Sequence, residues 1–159
     1  MADLAEIIIR NELPTDVDDL AQVNQSALAT LRQTYRPNQK AIAKRQETSK
    51  SLNRLVAVLN NRVVGSVEYR LNSDRLHLMS LEVHSDFRRK GVARQLVEAL
   101  FQIGKSLGAR RLTAYTVTQT GNPLIFARMG FRVISEEPSE YFESERFETL
   151  TETLLECPI

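Results

Sequence analysis

The chain has 159 residues, of which 26% are charged and 42% hydrophobic, and its formal net charge is +1. That length buries a core without disulfide or metal support, and the near-neutral balance excludes the strong basic field of a dedicated nucleic-acid binder. One cysteine, Cys157, and two histidines with no HExxH-like spacing leave no intramolecular disulfide and point to no metal site.

The opening stretch MADLAEIIIRNELP carries acid where a secretory leader carries base. Its apolar run is also too short for a leader core or a membrane span. The expectation is a soluble, cytoplasmic chain with no membrane partner, folded as one domain over residues 1–159.

Ile7 to Arg10 predicts a buried first strand, stopped before Pro14. Thr15 or Asp16 can cap a helix with an acidic first turn, in which Val17, Leu20, Val23, Ala27, Leu28 and Leu31 recur at helical spacing. About Asn38 to Ser51 predicts a second helix, basic and polar, with a thin apolar stripe. Three strand runs follow. Leu55 to Leu59 leads through the turn residues Asn60 and Asn61 into Arg62 to Leu71, where Gly65 marks a bulge or a close approach. The third run is Arg75 to His84. Regular alternation puts His77, Met79, Leu81 and Val83 on one face and Leu76, Leu78, Ser80 and Glu82 on the other. Gly91 opens a helix carrying Val92, Leu96, Leu100, Ile103 and Leu107, ended by Gly108. Arg111 to Val117 reads as a strand, Pro123 starts a short helix ending at Gly130, and Phe131 to Ile134 and roughly Phe147 to Leu155 are the last strands. Hairpin-linked strands followed by strand–helix–strand crossovers predict an α/β fold, a central mixed sheet flanked by about four helices.

The segment from Leu81 to Leu96 carries the chemistry. An apolar strand runs into a basic, glycine-containing loop that opens an amphipathic helix. Small residues at 91 and 93 let backbone amides approach a ligand, and the helix N-terminus favours a phosphate. Arg88, Arg89, Lys90 and Arg94 add positive charge. The pattern points to an anion site, most simply for a pyrophosphate; a solvated basic loop with an ordinary glycine turn is the plainer alternative. Neither a P-loop ending nor G-x-G-x-x-G is present.

Arg88-x-x-Gly91-x-Ala93 resembles the acyl-CoA motif of the GNAT acetyltransferases, Gln/Arg-x-x-Gly-x-Gly/Ala. Leu81-x-Val83 upstream, Gly130-Phe131 downstream and the order of elements fit the same family over nearly the whole chain. The resemblance implies acetyl-CoA as co-substrate, no metal, and transfer of acetyl to a primary amine by direct attack in a ternary complex. The amine would belong to a small molecule or to a peptide or protein, not to nucleic acid. The loop amides of Arg89, Lys90, Gly91, Val92, Ala93 and Arg94 would hold the CoA pyrophosphate, with Arg88 starting the motif. Glu82 and Val83 would pair through backbone groups with the pantetheine arm, in a gap where a bulged fourth strand splays from the fifth. A backbone N–H near Val83 would polarise the thioester carbonyl. Asn122, within Thr120-Gly121-Asn122-Pro123, would reach the cofactor by a side-chain hydrogen bond, cap its own helix, or do both.

The resemblance also implies a difficulty. Phe126, on the cofactor side, stands where many members carry a tyrosine that protonates the leaving thiolate, and Gln119 stands where asparagine is common. Three readings follow. A thiol with a pKa of roughly 8.5 leaves unaided; Tyr141 or Tyr115 supplies the hydroxyl; or the chain is a non-catalytic acyl-CoA-binding or sensing module. His77 and Glu82 are the candidates for general base, on opposite faces of their strand, with a satisfied, partly buried histidine as the alternative for His77. His84 reads as a loop-ordering residue and Cys157 as a structural thiol. The acidic run from Glu136 to Glu148 and the helix carrying Lys40, Lys44, Arg45 and Lys50 read as solvated faces, although the acidic run could meet a cationic amine. A small α/β interaction domain binding some other anion is the reading outside the family. A homodimer paired through the C-terminal strands is compatible with the sequence.

Overall fold

The computed structural model describes residues 6–48 and 52–159. The elements are β1 (Ile8–Asn11), α1 (Val17–Leu31), β2 (Arg36–Pro37), α2 (Gln39–Thr48), β3 (Asn53–Leu59), β4 (Arg62–Asn72), β5 (Arg75–Val83), α3 (Val92–Ser106), β6 (Arg111–Val117), α4 (Asn122–Arg128), β7 (Arg132–Pro138), β8 (Phe142–Glu143) and β9 (Thr151–Pro158). One seven-stranded sheet runs β1-β3-β4-β5-β6-β9-β7, and β2 and β8 form a separate two-stranded ladder. Among the described residues only the β5–β6 pair is parallel. This is the mixed sheet with flanking helices that the element order predicts.

The two faces of the sheet are buried by different helices. α3 turns Val92, Leu96, Val97 and Leu100 onto Leu76, Leu78, Leu112, Ala114 and Leu155, and Phe126 and Phe131 close the far end of this core. α1 covers the opposite face with Val23, which packs on Val56 and Val63. Each fully buried leucine contributes about 1.5–3 kcal/mol, so the α3 layer is the main source of stability.

Several boundaries differ from expectation for local reasons. β1 is an edge strand, so Ile8 is 54% exposed instead of buried. The Asp16 carboxylate does not cap α1 through its side chain; it turns back to accept the Leu13 N–H at 2.8 Å and both Arg10 guanidinium nitrogens at 2.7 and 2.9 Å. α2 starts beyond Asn38, whose Oδ1 accepts the Ala41 N–H, and the expected end at Ser51 lies outside the described residues. The last strand begins at Thr151, not Phe147, because Ser144 Oγ accepts the N–H groups of Arg146 and Phe147 and holds them in a turn.

The most consequential departure is in β5. Ser66 is registered with Glu82 and Glu68 with Met79, so Ser80 and Leu81 together oppose Val67. This is a β-bulge, and Ser80 takes a positive φ of 49° to make it. The extra residue reverses the alternation. Leu81 and Val83 continue the α3-facing row of Leu76 and Leu78, and Glu82 joins His77 and Met79 on the α1 face. The expectation that His77 and Glu82 face opposite ways is therefore overturned.

Candidate functional site

Beyond the bulge, β5 loses its neighbour. The β5–β6 ladder spans only Arg75–Leu78 against Arg111–Ala114, so from Met79 to Val83 the edge facing β6 is unpaired in the sheet. β6 continues along β9 instead, up to Val117↔Glu152. The result is a V-shaped gap flanked by Glu82 and Val83 on one side and the end of β6 on the other.

The mouth of this gap is the start of α3. Gly91 is the residue before the helix and takes φ 83°, and Arg89 takes φ 62°. The first intrahelical bond runs from the Gln95 N–H to the Gly91 carbonyl at 3.0 Å. The amides of Val92, Ala93 and Arg94 precede it and stay open to a ligand at the positive end of the helix. A Cβ on Gly91 would meet nothing within 4 Å, so glycine is required there by its backbone conformation and not by space. Gly65 is the reverse case: a Cβ there would come within 2.8 Å of Val92 Cγ1 and 3.0 Å of the Glu82 carbonyl oxygen. Its missing side chain lets α3 sit directly against the bulged strand.

The four cations of the loop divide. Arg88 reaches the Thr30 hydroxyl at 3.1 Å and the Val83 carbonyl at 3.4 Å, tying the loop to α1 and to the end of β5. Arg94 donates to the Arg128 carbonyl at 3.4 Å, at the end of α4. Arg89 and Lys90 are exposed, Lys90 5.9 Å from the Phe87 ring. His84 orders the same loop, its Nδ1 accepting the Asp86 N–H at 3.2 Å.

Across the gap, Asn122 is the first residue of α4. It is not the cap: Gly121 holds that position with φ 80°, and the Asn122 N–H goes to the Thr120 hydroxyl at 3.1 Å. Thr120 in turn donates to the Val117 carbonyl at 2.6 Å. Phe126 is 7% exposed and meets Phe131 edge to face at 5.2 Å, as a core side chain.

On the α1 face, Glu82 accepts from Asn24 Nδ2 at 2.9 Å. Burial pushes its carboxyl above the usual range; Glu68 adds to this, and Asn24, Arg54 and Arg45 offset it only in part. Glu68 itself is 4% exposed and is gripped by Arg45 at 2.6 Å and Arg54 at 3.0 Å. Burial pushes it up, but the two arginines outweigh burial and hold it below its ordinary value. Arg45 is thus not part of a purely solvated face. Lys40 does lie in one, paired with Glu140 at 2.9 Å and exposed, while Lys50 is outside the described residues.

His77 shares the Thr113 hydroxyl at 2.8 Å through Nδ1 and meets the Tyr115 ring at 5.5 Å. Burial, with Arg70, Arg75 and Lys44 nearby, lowers its pKa to about 4. Tyr141 is engaged with Lys44, its hydroxyl 3.2 Å from Lys44 Nζ and its ring 4.5 Å from the same ammonium. Tyr115 is 59% exposed beside His77. Cys157 is buried under Gly130, and burial raises its thiol. Sequence reasoning missed Tyr35, whose ring packs on Phe142 at 4.8 Å where β2 meets β8, and Glu152 on β9. A two-residue ladder carries no periodicity that could have signalled it.

A family model described as the acetyltransferase (GNAT) family matches residues 19–131, from α1 through the loop at Gly91 to Phe131. The chain belongs to the GNAT acetyltransferases. The same architecture recurs in solved GNAT structures. The ribosomal-protein-S18-alanine N-acetyltransferase from Escherichia coli aligns over 97% of this chain and 94% of its own, with TM-score 0.75 and 17% identity. A GNAT family acetyltransferase from Elizabethkingia anophelis with acetyl-CoA bound aligns over 96% and 98%, with TM-score 0.71 and 16% identity. A ribosomal-protein-alanine N-acetyltransferase from Brucella melitensis aligns over 96% and 99%, with TM-score 0.70 and 18% identity. At these identities the likeness is one of fold. A comparison with curated proteins finds no match. Among the described residues of this GNAT chain, no group of three or more His, Cys, Asp or Glu is arranged to hold a metal ion, and no helix is long and apolar enough to cross a membrane.

Proposed function

We propose that this chain is an N-acetyltransferase, one domain over residues 1–159, that moves acetyl from acetyl-CoA to a primary amine by direct attack in a ternary complex. The observation that carries the proposal is the unpaired edge of β5 from Met79 to Val83, running straight to the open amides of α3. A phosphate-bearing, amide-bearing chain fits such a track. Val92, Ala93 and Arg94 would bind the pyrophosphate through backbone N–H groups, with Gly91 setting the turn and Arg89 and Lys90 adding charge. Arg88 supports the loop from behind. Glu82 and Val83 would pair with the pantetheine amides, and Asn122 would contribute from the α4 side. Phe126 would give this region an apolar floor without a proton to donate. That a GNAT structure of the same fold holds acetyl-CoA supports the choice of donor.

Glu82 is the residue best suited to take the proton from the attacking amine. It lies beside the gap on the α1 face, and burial moves its carboxyl toward the range in which a base works near neutrality. A backbone N–H near Val83 would polarise the thioester carbonyl as the C–N bond forms and the C–S bond breaks. His77, at about 4, is neutral and weakly basic at neutral pH, and its ring is held by Thr113 and Tyr115, which supports a positioning role. Tyr141 is engaged with Lys44, so departure of the thiolate without an acid is the simpler reading. The edge strand β7, exposing Val133 and Ile134, is the surface through which a homodimer would pair.

Calorimetric titration with acetyl-CoA, comparing wild type with Gly91→Asp, tests the cofactor site. Binding by wild type that the folded variant loses supports the proposal; no binding by wild type overturns it. The core position of Phe126 favours one second reading, a non-catalytic acyl-CoA-binding module. Acetyl-CoA binding without transfer across a broad amine panel would establish that reading instead.

A further inference from the structure

The α1 face holds a second carboxylate that the reaction above leaves unused, and the inference drawn from it rests on that reaction. β5 and β6 are in register at Leu78↔Ala114. Counting up both strands past the one-residue bulge brings Glu82 level with Val117, which is paired with Glu152 on β9. Glu82 and Glu152 therefore occupy one rung of the same face, more than two strand spacings apart because the gap between β5 and β6 lies between them. Tyr35 lies close enough to feel the charge of both.

Glu152 is held in place from two sides. Ser139 acts on its carboxylate against the effect of burial. The preceding residue, Thr151, is clamped by Gln119, which accepts its N–H at 3.1 Å and donates to its hydroxyl at 3.3 Å. Yet among the described residues neither Glu82 nor Glu152 has a salt-bridge partner, whereas Asp16, Glu68 and Glu156 are all matched with arginines. Lys44 is the nearest cation to act on Glu152, and its ammonium is directed at the Tyr141 ring and hydroxyl. A partly buried carboxylate that is positioned but not ion-paired is set up to receive a cation from outside.

We propose that Glu152 binds a second, non-reacting cationic group of the acceptor, so that the chain acetylates dicationic amines whose two charges lie about 10 Å or more apart, two strand spacings plus the opening of the gap. The reacting amine sits at Glu82 and the other charge at Glu152. The span crosses the gap at that rung, with Tyr35 near both carboxylates.

Acetyl transfer to diaminohexane and to hexylamine, by wild type and by Glu152→Gln, tests this, alongside calorimetric binding of each amine to the CoA-bound protein. Wild type should prefer the diamine about tenfold or more in kcat/KM, as loss of one charged hydrogen bond implies. Glu152→Gln should erase the preference by raising the diamine KM, with kcat, the hexylamine values and acetyl-CoA affinity retained. Glu148→Gln, an exposed carboxylate off the rung, should keep the preference. Equal use of both amines by wild type, or a preference surviving in Glu152→Gln, overturns the assignment. Transfer to neither amine counts against the acetyltransferase reading alone, and the calorimetry then decides. Diamine binding that Glu152→Gln loses supports the role of Glu152; binding that it keeps, or that wild type lacks, overturns it.

Discussion

Glu82 and His77 share a face of the sheet, yet their surroundings push them in ways that separate their roles. A carboxyl raised by burial loses its basic form as pH falls through that raised value, so kcat/KM should show an acid limb that Glu82→Gln abolishes, with kcat lowered about a hundredfold. Acetyl-CoA binding should survive the substitution, since only backbone groups at 82 meet the donor. His77→Gln should leave the profile unchanged above about pH 5, because a histidine that titrates at about 4 contributes no limb there. Glu68 answers to the opposite sign. Its folded pKa is depressed, so its contribution to stability is present above the ordinary carboxylate range and is lost as pH falls through the folded value. Glu68→Gln, leaving Arg45 and Arg54 without their shared acceptor, should lower stability by about 1–3 kcal/mol in chemical denaturation.

Among the elements, the contact between β4 and α3 is the one on which the donor site depends. Gly65→Val has no room at Val92 Cγ1 or the Glu82 carbonyl, so it should shift the first turn of α3 and weaken acetyl-CoA binding more than tenfold, at a stability cost of about 1–3 kcal/mol. Calorimetry and a denaturation curve on the same variant separate the two effects. The β2–β8 ladder works at the other face. Arg36 bridges to Glu143 and Glu145 at 3.0 and 3.1 Å, all of them exposed, so Arg36→Ala should leave the denaturation midpoint essentially unchanged. Because the ladder carries Phe142 and adjoins Tyr35, any effect of that change belongs in the acceptor KM, not in donor binding.

For the whole molecule, the order of strands and helices and the loop at Gly91 were legible because they rest on long periodic runs and on a glycine flanked by basic residues. The apolar faces of α1 and α3 were legible for the same reason except at their ends, where Val17 is 65% and Leu107 50% exposed. What was not legible depends on single residues acting against pattern. The family resemblance implies a bulge in this strand, but Ser80 adopts a backbone conformation that serine rarely takes, so nothing in the run from Arg75 to His84 announces where the alternation reverses. Glu152 and Tyr35 come from strands and turns distant in sequence, and only the sheet register brings them to one side. The Asn122 cap was misassigned by one short step, because Thr120 two residues earlier offers its hydroxyl first.

The bulge at Ser80 also changes what kinds of inherited error this chain can absorb. Ser80 is the one extra residue of the strand, so losing it would leave Leu81 and Val83 toward α3 and Glu82 toward α1. Flattening the bulge with residue 80 still in place is what would drive Glu82 toward the leucines of α3 and turn Leu81 and Val83 to the opposite face. The strand therefore absorbs the loss of this residue better than an added one, and related chains that share this carboxylate on the α1 face should carry either the bulge or a strand shorter by one residue here.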